Sequence, residues 1–172
     1  MGELDEAWAA ALSEAERRAR LSGRKDVVEY LSLKNSNDLL RKAGVDWLVD
    51  RFTISAGDAN RSGASIQISK QEGQRFRTGN STMVGPLLTL TSGVRTLYVE
   101  AGWPRTPSDG IVRGGGLACA NIRHMGIRSA SEELLLAKLN TGAPAWKNMS
   151  KQDTRYLLDS DIRRHISILI DR

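Results

Sequence analysis

The sequence predicts an α+β fold: an antiparallel sheet or partly closed barrel of five to six strands, packed by N-terminal helices and one C-terminal helix. Three observations predict it. Apolar residues recur every three or four positions near both ends of the chain. They alternate at every second residue only between about residues 64 and 148. The strand-like runs also follow one another through short turns with no helix between them, which argues against a βαβ winding.

Leu4, Trp8, Leu12, Ala15 and Ala19 form one stripe, so the first helix is expected over about Leu4 to Leu21, with Gly23 as its stop. Asp26 reads as the N-cap of a second helix through Tyr30 and Leu31 towards Leu40. Asn35-Ser36-Asn37 weakens its middle and Gly44 is expected to break it. A third helical stretch then carries Val45, Leu48, Val49 and Phe52 and ends in the loop-like Gly57-Asp58-Ala59-Asn60.

Ile66 and Ile68 alternate with Gln67 and Ser69 as a half-wet strand. Gln71 to Gln74 reads as a hairpin turn into Arg75-Phe76-Arg77, whose arginines lie opposite Phe76. The Val84–Leu90 and Val94–Val99 runs make a further hairpin around Ser92-Gly93. Gly102 to Gly116 holds two prolines and five glycines and is too irregular for a core element. Leu117 to Ile122 is a buried strand candidate, and Glu133–Leu139 with Ala145-Trp146 gives a last hairpin. Ser160 and Asp161 open a C-terminal helix with the stripe Ile162, Ile166, Leu169 and Ile170. One domain over residues 1–172 is expected, helical over 1–60, β-rich and basic over 61–148, and helical again over 150–172.

The net charge of +5 is unevenly spread. Residues 61–130 hold nine basic side chains against three acidic ones, Glu72, Glu100 and Asp109, and eight of the nine are arginines. Arginine grips carboxylates and phosphates through two parallel hydrogen bonds, so an anionic partner is expected. The acidic N-terminus has no apolar run, and Cys119 is the single cysteine. Together they predict a cytoplasmic protein with no disulfide, no secretory signal and no membrane association.

Motifs of common chemistry are missing. No phosphate loop with its lysine, dinucleotide-binding turn, nucleophile elbow or His-Glu-x-x-His pair occurs, so no cofactor and no metal are expected. His124 and His165 stand 41 residues apart, and His165, beside Arg163 and Arg164, is expected in solvent. The Gly102–Gly110 loop is the most distinctive segment, with a stacking face at Trp103, Arg105 and two prolines. Trp103 is read either as a plug at the end of the sheet or as a contact residue.

Three functional readings follow. The first is a non-catalytic binding module whose basic sheet face, around Arg75, Arg77, Arg95 and Arg105, engages nucleic acid or an acidic protein surface. Trp103, Arg113, Arg123 and His124 complete its candidate binding residues. The second is a small-molecule enzyme using the Glu100–Arg113 loop with His124 as acid and base. The third is a structural subunit whose helical ends pack on another chain, a second copy included.

Overall fold

A computed structural model describes residues 3–149 and 155–171. Helices α1 (Glu3–Leu21) and α2 (Lys25–Arg61) precede six strands: β1 (Gln67–Thr78), β2 (Ser81–Ser92), β3 (Arg95–Gly102), β4 (Ala118–His124), β5 (Glu132–Lys138) and β6 (Pro144–Asn148). Helix α3 (Asp159–Ile170) follows. All neighbouring strands pair antiparallel in the order β1-β2-β3-β4-β5-β6, and the sheet is open, with β1 and β6 at its edges. This is the mixed α+β architecture predicted, in its open form. No helix among the described residues is long and apolar enough to cross a membrane.

The main core lies on one face of the sheet. Leu88, Leu90, Leu97, Val99, Ile122 and Leu134 meet Leu48, Phe52, Ile162, Ile166 and Leu169 from α2 and α3. The other face is more open. An apolar cluster there, Met83, Val112 and Cys119 with Phe76 and Leu135, lies beneath the segment that links β3 to β4. Strand alternation therefore sends adjacent residues of β4 to opposite environments.

Three expectations about the N-terminal helices are corrected. Gly44 does not break a helix, because α2 runs unbroken from Lys25 to Arg61. A Cβ at residue 44 would stand 2.5 Å from a Leu136 methyl, so the glycine lets the helix lie directly on β5. The packing gained there outweighs the roughly 1 kcal/mol propensity cost of an interior glycine. Asp26 lies in the first turn, with Arg24 at the cap. Gly57 to Asn60 is still helical, and Asn60 ties the helix end to Ile66 through both side-chain atoms, at 2.7 and 2.9 Å.

Gln71 to Gln74 is likewise not a hairpin. It is a bulge within the continuous strand β1, where the register to β2 shifts and Gly73 takes a φ of +66°. The turn between β1 and β2 comes at Gly79-Asn80 instead. At the C-terminus, α3 begins at Asp159 with Leu158 at its N-cap: the carboxylate of Asp161, in the first turn, accepts the Leu158 N–H at 2.8 Å and an Arg155 N–H at 2.6 Å.

Candidate functional site

The bulge in β1 re-aims the strand. Beyond it Arg75 pairs with Val84, and Arg75 and Arg77 lie on the same side of the strand, opposite Phe76, as expected. Val84 also bridges Trp103, so β1, β2 and the start of the Trp103 loop converge at one point. A groove of about 720 Å³ opens there. Its floor is Trp103, Val84 and Pro86; α1 supplies Trp8, and α2 supplies Val45 and Lys42.

Asp109 organises the rim. The short 3-10 turn Pro107–Asp109 folds its carboxylate back onto its own loop, where one oxygen accepts the backbone N–H groups of Arg105 and Thr106, both at 3.1 Å. The other oxygen accepts an N–H of Arg75 at 2.8 Å. Those hydrogen bonds, the Arg105 one foremost, hold the carboxyl below the ordinary aspartate range, with Arg75 adding to them. The result is a surface arginine tied by one hydrogen bond to a buried anion. A guanidinium has five N–H donors, so Arg75 keeps donor capacity toward the groove.

Trp103 is only 6% exposed and packs in the main core at the end of the sheet, while part of it also lines the groove. It is also capped. The Arg105 guanidinium carbon sits 3.7 Å from the ring centroid, and the same side chain donates to the Val84 carbonyl at 3.2 Å. Trp8 is the more exposed of the two groove tryptophans. It is 37% exposed, donates from Nε1 to Asp38 at 2.9 Å and has the Lys34 ammonium 4.7 Å from its ring.

Most of the other expected binding residues lie elsewhere. Arg77 is exposed beside Arg75. Arg95 reaches the last turn of α3, donating to the Ile168 carbonyl at 2.6 Å. Arg113 lies over the turn between β1 and β2, against Gly79. Arg123 stands on the open face, 3.4 Å from Glu100 and 5.4 Å from the Tyr98 ring centroid. The structure thus brings Arg75, Trp103 and Arg105 together with Arg77 beside them, and disperses Arg95, Arg113, Arg123 and His124.

The elements of the enzyme reading are also separated. Glu100 pairs in register with Asn121 on the open face, whereas His124, at the opposite end of β4 from the Trp103 loop, contacts His165 of α3. His165 is not in solvent. It is fully buried, with Nδ1 2.8 Å from His124 Nε2, because α3 turns that side of the helix onto the sheet. Cys119 is the small buried residue expected, its thiol pushed up to about 11 by burial.

Trp8, Lys42 and Pro86 were not singled out by sequence. Trp8 sits on an apolar stripe like any packing residue, and nothing local marks α1 as a groove wall. Among the described residues, no cluster of three or more metal-ligating side chains occurs. No known protein family matches the chain, and neither a curated protein nor a solved structure is similar to it.

Proposed function

We propose that the protein is a binding module that holds an acidic, partly apolar segment of a partner protein in the Trp8–Trp103 groove. The observation that carries this reading is the meeting of an apolar floor with an arginine pre-set by Asp109. Immobilising a guanidinium before binding lowers the ordering entropy lost on association. The volume, about 720 Å³, falls within the range of small concave sites.

The carboxylates of the groove do not oppose an acidic ligand strongly, because each has a cation of its own. Asp46 is paired with Lys42, Glu72 with Lys70 at 3.0 Å and Asp109 with Arg75. The scatter of the remaining arginines favours a protein partner over nucleic acid. Arg123, Arg155 and Arg164 each pair with a carboxylate, and Arg95 is used by α3. A phosphate backbone calls for a continuous cationic track, which these positions do not make.

The test compares two probes at ~50 mM salt, where electrostatic contacts are strongest. A short synthetic peptide of alternating acidic and large apolar residues is expected to bind, and a single-stranded oligonucleotide to bind more weakly. Tighter binding of the oligonucleotide would replace the reading with a nucleic-acid one. Binding of neither would remove it.

A further inference from the structure

Far from the groove, two buried histidines meet between the sheet and α3. His124 ends β4 on the helix-covered face, opposite Leu97. His165 projects from α3, and the two rings meet edge to edge, with centroids 5.1 Å apart and planes 18° from parallel. His124 Nε2 and His165 Nδ1 share a hydrogen bond of 2.8 Å. On its other edge His165 Nε2 stands 3.6 Å from a Glu132 oxygen of β5, and the second Glu132 oxygen accepts Arg164 Nη2 at 2.6 Å. From β3, Arg95 binds the carbonyl of Ile168. α2 brings the uncharged Phe52 ring to 6.0 Å from His165, and pairs with α3 through Arg51 and Asp159 at 3.8 Å.

This arrangement limits how many protons the cluster holds. A hydrogen bond between two imidazole nitrogens needs one of them to donate and the other to accept. One extra proton on the pair is balanced by Glu132. A second removes the acceptor and sets two cationic rings beside Arg164 and Arg95 with a single carboxylate among them. Burial in an apolar core makes that state costly.

We propose that the His124–His165 pair is an acid-sensitive latch: it holds α3 on the sheet while one imidazole nitrogen remains an acceptor, and releases α3 when both rings are charged. Burial first, then His165 and Arg164, push His124 down to about 4 from 6.5. Glu132 is held at about 2 by His165, 3.6 Å away, and by its hydrogen bond from Arg164, so it stays an anion through that interval. The folded pair therefore resists a proton that the released helix accepts, and docking weakens as pH falls from 6.5 towards 4. The inference is independent of the groove and its ligand.

Hydrogen exchange read by mass spectrometry, corrected for the intrinsic pH dependence, tests it on the full chain. Near pH 4.5 the opening of residues 159–170 is expected to rise about 50-fold over its neutral value, while the central amides of β2 and β3 respond far less. His124→Gln keeps a side-chain donor toward His165 and cannot become charged, so its α3 response should be flat. Three results would overturn the latch: no change in α3 exchange between the two pH values, equal opening of α3 and the central strands, or an undiminished acid response in His124→Gln. The first two are read from the unaltered protein, so the inference stays falsifiable even if the variant does not fold.

Discussion

Asp109 and Glu132 are both carboxylates held below their ordinary range, each with an arginine from the surface, yet they are assembled in opposite ways. Asp109 is gathered by its own loop, with two amide donors three and four residues before it and one long-range partner, Arg75. Glu132 draws every partner shown from α3, through Arg164 and His165. The first arrangement fixes a side chain at the surface and points toward recognition. The second fixes a helix on a sheet and points toward stability. Buried charge alone does not tell these apart; the sequence distance to its partners does.

Trp103→Ala should produce the largest loss, about 3–5 kcal/mol by chemical denaturation, because the ring is core and supports Arg105. A loss below about 1 kcal/mol would show that the groove floor is separable from the core.

Acid should then divide the two sites. Folded His124 takes its proton near pH 4 and the unfolded chain near 6.5, so between those values the unfolded state binds more protons. That stability is complete above 6.5 and is lost as pH falls to 4, an effect of about 3 kcal/mol. Glu132 adds a further loss as pH falls from 4.5 through about 2. Asp109, shifted the same way, acts only as pH falls below the ordinary aspartate range, so Asp109→Asn should leave the 6.5-to-4 slope of denaturation midpoints intact. His124→Gln should flatten it.

The smallest stability effect belongs to Arg75→Ala. The side chain is 63% exposed, so the expected shift is under ~0.5 kcal/mol. Peptide binding should nevertheless fall about tenfold, equivalent to ~1.4 kcal/mol. Unchanged binding would reduce the Asp109 arrangement to loop architecture.

How legible each part was in the sequence follows the same divide. α1, α3 and the hairpin of β2 and β3 declare themselves through local periodicity, as does the irregular loop that carries Trp103. α2 was split at Gly44 because the reason for that glycine, Leu136, lies 92 residues away. The β1 bulge imitates a turn, since Gly73 adopts the same backbone region in either setting. Of the groove, Arg75, Trp103 and Arg105 were named as candidates, but Trp8 and Lys42 were not, because a helix surface does not show what it faces. The His124–His165 contact was invisible for the same reason: charged neighbours at Arg163 and Arg164 point to solvent, and only the docked helix reverses that.

The groove reading is tested most directly by the four tryptophan indole N–H signals. In a nuclear magnetic resonance titration with the acidic amphipathic peptide, Trp8 and Trp103 should shift together. Trp47 and Trp146 line a separate cavity, with the Trp146 N–H held by the Gly44 carbonyl at 2.9 Å, and should stay in place. Shifts at Trp47 and Trp146 that leave Trp8 and Trp103 unmoved would contradict the assignment of the groove.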